Sequence, residues 1–101
     1  MFNSVMMAEF EQMLRKGGLN VIDVREADEF ESGHIEGAEH IALGDIPSSL
    51  EKLDRNKEYH VICLSGGRSA MASKYLGQQG FKIVNVMGGM SAYRGDVEFG
   101  R

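Results

Sequence analysis

The residues best suited to chemistry are one cysteine and the loop that follows it. The chain contains a single cysteine, Cys63, which opens the sequence Cys-Leu-Ser-Gly-Gly-Arg-Ser over residues 63–69. Gly66 and Gly67 allow successive backbone N–H groups to turn towards one point without side-chain clashes, which creates an anion-binding nest. A helix that begins near Arg68 adds the positive end of its dipole, and Arg68 adds a full positive charge. These features favour a thiolate on Cys63, the nucleophilic form of cysteine.

The helix dipole is too weak to produce a reactive thiolate by itself. Near an exposed helix terminus it contributes about 0.3–1 kcal/mol, whereas one pKa unit corresponds to about 1.4 kcal/mol. Several loop donors must therefore act together on the sulfur. We predict that Ser65 and Ser69 donate hydrogen bonds to it, the alternative being that they only cap the helix. The same donors would stabilise a persulfide anion or a bound oxyanion.

Strands and helices alternate along the chain and must position this loop. Short runs rich in β-branched residues predict buried strands at 19–24, 59–63 and 81–86, with weaker strands at 39–42 and 2–5. Apolar stripes predict helices between them, namely 6–14, 27–32, 46–53 and 71–76, with a last short turn at 91–94. This alternation indicates an α/β fold with a parallel sheet and helices on both faces. Because ligands bind at the carboxyl ends of such strands, Cys63 stands at a functional position.

Length and composition narrow the classes of protein to consider. A chain of 101 residues suits one domain, which we assign to residues 1–101. The net charge of −4 argues against nucleic acid as a partner, and no apolar run reaches the roughly 20 residues needed to cross a membrane. The first nine residues do not read as a signal peptide. With one cysteine there is no disulfide framework, so we expect a cytoplasmic location.

Three segments together resemble the rhodanese-like domain family. The loop 63–69 is similar to the Cys-x-x-Gly-x-Arg-Ser form found in many single-domain members. Upstream, residues 22–25, 29–30 and 33–38 (Ile-Asp-Val-Arg, Glu-Phe and Gly-His-Ile-Glu-Gly-Ala) resemble the amino-terminal signature of the family. Downstream, residues 86–93 resemble the carboxyl-terminal signature. The matches occur in the family's order and span nearly the whole chain.

The resemblance implies both a fold and a reaction. It implies a five-stranded parallel sheet flanked by helices, and a sulfurtransferase in which Cys63 accepts sulfane sulfur as a persulfide and passes it to a thiol or another nucleophile. Relatives with phosphatase or arsenate reductase activity tend to have a loop that is one residue longer. Here five residues separate Cys63 from Ser69, as in the sulfurtransferases. Relatives that favour thiosulfate often have basic residues directly after the cysteine, but Leu64 and Ser65 are neutral. The sequence therefore favours a persulfide or polysulfide donor, or a partner protein, at least as strongly as thiosulfate.

Each candidate residue receives a role on this interpretation. Cys63 is the catalytic nucleophile, and Arg68 orients an anionic donor. Asp23 and Arg25, just past a strand end, brace the site by ion pairing, as the resemblance suggests. His34 is expected to pack or hydrogen-bond locally. The residues expected to bind substrate are Leu64, Ser65, Gly66, Gly67, Arg68 and Ser69.

The sequence leaves other functions open. The expected partners are a small-molecule sulfur donor and a thiol or protein acceptor, with no nucleic acid and no membrane. We predict no cofactor and no metal, since His40 and His60 have no partner residues at metal-ligand spacing. One alternative is a non-enzymatic binding or regulatory module. Another is a cysteine phosphatase or arsenate reductase.

Overall fold

A five-stranded sheet forms the centre of the molecule. The structure is a computed structural model that describes residues 2–101. In chain order the strands are β1 Asn3–Val5, β2 Asn20–Asp23, β3 Glu39–His40, β4 Glu58–Ile62 and β5 Lys82–Val86. Every neighbouring pair is parallel, and the order across the sheet is β1-β5-β4-β2-β3. The strand that precedes Cys63 is therefore central.

Helical segments connect the strands, because parallel neighbours need crossover connections. The α-helices are α1 Met7–Lys16, α2 Ala27–Glu31, α3 Gly67–Gln78 and α4 Gly89–Ala92. Two 3-10 helices, Leu43–Asp45 and Pro47–Lys52, lie between β3 and β4. No helix within residues 2–101 is long and apolar enough to span a bilayer.

Both faces of the sheet are covered, because successive side chains of a strand point to opposite faces. From β4, Val61 belongs to a buried cluster that includes Leu76 of α3. Its neighbour Ile62 belongs to a second cluster, which includes Phe10 of α1. Cys63 is part of the first cluster, so it lies on the face that α3 covers.

The predicted α/β fold is confirmed, but two helical predictions were wrong in detail. The segment predicted as a helix at 46–53 forms a 3-10 helix over Pro47–Lys52. Here the Ser49 hydroxyl donates to the Asp45 carbonyl at 2.7 Å, a local bond that competes with regular helix formation. The last helical turn begins at Gly89 rather than at residue 91. The N–H groups of Met90 and Ser91 in this turn donate to backbone carbonyls outside the helix.

Candidate active site

Cys63 is the first residue after β4, at the carboxyl edge of the central strand. The flanking strands β2 and β5 end at the same edge, where parallel α/β sheets bind their ligands. The residue is only 1% exposed. A reacting atom must therefore approach Sγ through the loop formed by residues 63–69.

Polar groups of the loop converge on the sulfur. The backbone N–H of Gly66 donates to Sγ of Cys63 at 3.0 Å. The Ser69 hydroxyl oxygen lies 3.3 Å from Sγ. In the neutral state the thiol donates to this oxygen, while the Ser69 hydroxyl donates to the Gly66 carbonyl at 3.1 Å. After proton loss, the hydroxyl can rotate and donate to the thiolate instead, because a serine O–H has no fixed direction.

Two opposing effects set the pKa of the Cys63 thiol. Burial raises this pKa, because desolvation disfavours the charged form. Hydrogen bonds from the Ser69 side chain and from the backbone N–H groups of Ser69, Gly66 and Ser65 lower it. The hydrogen bonds prevail, so the pKa lies below the ordinary value for cysteine. The site therefore holds more thiolate near neutral pH than a free cysteine would.

A Ser69→Ala variant is expected to raise the pKa of Cys63. The substitution removes the side-chain hydrogen bond that most strongly opposes the desolvation of the thiolate. The pH at which alkylation by iodoacetamide reaches half its maximal rate should move upward, so the variant should react more slowly at neutral pH. Ser73→Ala is the matched control, because Ser73 is buried one turn further along α3 and its hydroxyl has no hydrogen-bond partner within residues 2–101. An equal upward shift in both variants would contradict the assignment.

The remaining loop residues form the turn that precedes α3 and the solvent-exposed side of the loop. Gly66 precedes α3 with φ of 115°, a left-handed conformation that favours glycine. Gly67 is the first residue of α3. Leu64 is 42% exposed, and Ser65 is also exposed, so neither side chain fills the interior of the loop.

The start of α4 supports the loop from behind, a role that sequence reasoning missed. The N–H of Met90 donates to the Cys63 carbonyl at 2.8 Å, and the N–H of Ser91 donates to the Leu64 carbonyl at 2.8 Å. This approach requires a glycine at position 89, since a Cβ there would lie 2.5 Å from the Cys63 carbonyl oxygen. The available sequence signal was the segment 86–93, which resembles the carboxyl-terminal signature of the family and contains the adjacent pair Gly88-Gly89.

Arg68 does not extend freely into the site. Its guanidinium donates two hydrogen bonds to the Glu29 carboxylate of α2, at 2.7 and 2.9 Å. The bidentate pair lowers the pKa of Glu29 to about 2 and raises the pKa of Arg68. Glu29 belonged to a motif of the family resemblance, but no site role was predicted for it.

Comparison with known proteins identifies the family of this arrangement. The family model described as the rhodanese-like domain matches residues 6–96. The chain belongs to the rhodanese-like domain family. YtwF of Bacillus subtilis (strain 168), a protein named as a sulfurtransferase on a provisional basis, is 54% identical to this chain over 80 residues. The match covers 79% of this chain and 78% of that protein.

Two further comparisons agree with this assignment. The thiosulfate sulfurtransferase GlpE of Pseudomonas savastanoi pv. phaseolicola (strain 1448A / Race 6) is 37% identical over 85% of this chain and 82% of its own length. The crystal structure of a rhodanese-like domain protein from Staphylococcus aureus is 33% identical and superposes with a TM-score of 0.91. That similarity covers 99% of this chain and 100% of the other. The predicted family resemblance and fold are both confirmed.

In this rhodanese-like domain, Asp23 and Arg25 form a buried ion pair beside the strand that leads to Cys63. The guanidinium donates to both carboxylate oxygens, with the shortest bond 2.8 Å long, and it also donates to the Gly33 carbonyl at 2.8 Å. The N–H of Val24 donates to the Ile62 carbonyl at 3.0 Å. The side-chain pair itself ties the end of β2 to Gly33, after α2, and the backbone bond from Val24 joins β2 to β4; that the pair braces the active site stays a prediction.

Two histidines of this rhodanese-like domain are buried and pack within the domain. His34 stacks on Phe30 with ring centroids 3.7 Å apart, and its Nδ1 lies 2.8 Å from the Phe30 carbonyl oxygen. His60 is buried on β4, and burial lowers its pKa, which keeps the ring neutral. Across residues 2–101, no group of three His, Cys, Asp or Glu side chains could hold a metal ion. The absence of a metal from the working protein stays a prediction.

A surface cavity of this domain lies away from the cysteine loop. Its volume is about 620 Å³, and it lies between α1 and the carboxyl-terminal segment, with Leu14 and Tyr93 among its lining residues. None of the lining residues belongs to the loop 63–69. This cavity is therefore separate from the cysteine site.

Proposed function

We propose that this rhodanese-like domain is a sulfurtransferase that moves sulfane sulfur through a persulfide on Cys63. The single observation that supports this most strongly is the buried Sγ, which the Gly66 N–H and the Ser69 hydroxyl surround at 3.0 and 3.3 Å. This nest lowers the pKa of the thiol and has donors for one added sulfur atom. The sulfurtransferase names of YtwF and GlpE support the same reaction class.

The reaction proceeds in two steps through a covalent intermediate. The Cys63 thiolate attacks the terminal sulfur of the donor, a new S–S bond forms, and the donor fragment leaves with the electron pair of the broken bond. Sulfite leaves if the donor is thiosulfate, a thiolate leaves if the donor is a persulfide, and a polysulfide anion shortened by one sulfur leaves if the donor is a polysulfide. An acceptor thiolate then attacks the outer sulfur and releases the Cys63 thiolate. No histidine base is needed for the thiolate fraction of Cys63, which the lowered pKa increases.

The proposal extends to partners and location. The donor is a small molecule with a sulfane sulfur, and the acceptor is a thiol, free or on a protein. Neither nucleic acid nor membrane is a partner. The compartment is a reducing one such as the cytoplasm, where a free thiol stays reduced.

Intact-mass spectrometry tests the reaction. After exposure to thiosulfate or polysulfide under non-denaturing conditions, the protein should gain about 32 daltons, the mass of one sulfur. Dithiothreitol should remove the gain. The Cys63→Ser variant is the matched control, because it keeps an oxygen where the sulfur was and should show no gain while remaining folded by circular dichroism.

Other outcomes would favour the alternatives. If no donor adds sulfur to Cys63, the sulfurtransferase proposal fails. Turnover of an aryl phosphate that depends on Cys63 would indicate a phosphatase. A protein partner that binds equally well to Cys63→Ala would indicate a docking module.

A further inference from the structure

The ion pair between Glu29 and Arg68 joins α2 to the start of α3. It lies beside the solvent-facing side, or mouth, of the cysteine loop formed by residues 63–69. Arg68 is the second residue of α3, and Glu29 lies in α2. The two parallel hydrogen bonds use the planar fork of the guanidinium, so its donors on that side are occupied. Both side chains are partly exposed, at 33% and 26%. The charge of the Cys63 thiolate also raises the pKa of Arg68, so this solvent-accessible pair lies within electrostatic reach of the sulfur.

Glu29 is held in place from its own helix. The backbone N–H of Glu26 donates to Glu29 Oε1 at 2.9 Å, as part of a capping box at the start of α2. Phe30, the next residue, is buried and anchors α2 to the domain. The pKa of Glu29 is about 2, so its carboxylate stays charged at every pH used in an activity assay. Glu29 therefore keeps the negative charge that faces Arg68 throughout the pH range of such an assay.

Arg68 is the basic side chain that the loop itself supplies for binding an anion. The other exposed side chains of the loop, Leu64 and Ser65, have no charge. Arg25, the basic residue at the end of β2, is paired with Asp23. The mouth thus presents backbone N–H groups and neutral side chains, together with a cation already neutralised by Glu29. A dianion gains little charge attraction from such a mouth.

We propose that Glu29 determines donor specificity by masking Arg68, so that the Cys63 site selects an organic persulfide over the thiosulfate dianion. This inference rests on the proposed sulfurtransferase function. With an organic persulfide, the Cys63 thiolate bonds to the outer sulfur and the organic thiolate leaves with the electrons of the broken S–S bond. With thiosulfate, the leaving group is sulfite. The bond formed at Cys63 is the same in both reactions, while the leaving group and the charge of the donor differ.

Kinetics of a Glu29→Gln variant test the masking. The amide keeps the shape of Glu29 and can still accept the Glu26 N–H, but it removes the charge that neutralises Arg68. The ratio of kcat/KM for thiosulfate to that for 2-mercaptoethanol persulfide, which has no charge other than that of its persulfide group, should rise about tenfold, as expected for one unmasked charge acting on a dianion. The gain should lie in the KM for thiosulfate rather than in kcat. A Glu29→Gln/Arg68→Gln double variant should lose the gain, since no cation is left to unmask.

A binding measurement separates this inference from the proposed function. Sulfate, a dianion that donates no sulfur, should protect Cys63 from iodoacetamide at about tenfold lower concentration in Glu29→Gln than in the native protein. If the native protein accepts sulfur from no donor but Glu29→Gln gains this protection, masking holds and the sulfurtransferase function fails. Sulfur transfer by the native protein with equal protection in both proteins would overturn the masking. Equal protection in the single and double variants would also overturn it.

Discussion

The Gly89→Ala variant is expected to transfer sulfur about 100-fold more slowly than the native protein, the loss typical of a reacting group misplaced by about 1 Å. The added Cβ would lie 2.5 Å from the Cys63 carbonyl oxygen and would also contact Leu64. These are backbone atoms, which cannot rotate away. The loop must therefore shift, and the bonds from Met90 and Ser91 to the loop carbonyls must lengthen.

Stability should fall in the same variant. Overpacking typically costs about 1–3 kcal/mol in the free energy of unfolding. Gly37→Ala is the matched control, since Gly37 has φ of +82° and nothing within 4 Å of an added Cβ. It shares the backbone penalty of a positive φ without the steric contact. Denaturant unfolding and single-turnover sulfur transfer should separate the two variants, and equal behaviour in both would rule out a supporting role for α4.

The Asp23→Ala variant is expected to lose about 3–5 kcal/mol of stability, as is typical when one partner of a buried ion pair is removed. Asp23 is 0% exposed and Arg25 is 4% exposed. Without the carboxylate, the guanidinium of Arg25 stays buried, and its remaining hydrogen-bond partner within residues 2–101 is the Gly33 carbonyl. Because small domains are stable by only about 5–15 kcal/mol, this loss is a large fraction of the total.

A double variant distinguishes charge from packing in this prediction. Asp23→Ala/Arg25→Met removes both charges, and buried pairs replaced by apolar residues are often close to neutral in stability. We expect the double variant to recover much of the loss when unfolding is followed in urea. If the double variant is as unstable as Asp23→Ala, the unpaired charge is not the cause.

The sequence predicted the fold because local patterns specify most of it. The runs at 59–63 and 81–86 are short and β-branched, as buried parallel strands must be. The departures occur where contacts between distant segments decide. The final turn begins at Gly89 because carbonyls of the cysteine loop, more than twenty residues earlier, accept its first N–H groups. No periodicity within the turn itself indicates this.

The sequence also predicted the part of the candidate site that lies within the cysteine loop. Cys63, Gly66 and Ser69 lie within one short segment, so their convergence follows from the loop itself. The partner of Arg68 could not be predicted in this way, because Glu29 comes from a helix 39 residues earlier. Arg68 was expected to orient an anionic donor, whereas the structure pairs its guanidinium with Glu29. Its availability depends on where α2 packs against the loop.

The burial of Cys63 has a consequence for the direction of sulfur release. A persulfide on this residue has two sulfur atoms, and attack on each gives a different product. Attack on the inner sulfur would join the acceptor to the protein as a mixed disulfide and expel hydrosulfide. Because Cys63 is 1% exposed, its own sulfur, the inner atom of the proposed persulfide, is enclosed by the fold. On the proposed mechanism, this burial would direct an acceptor to the outer sulfur, and it would protect a chain with one cysteine from a mixed disulfide that the chain could not resolve by itself.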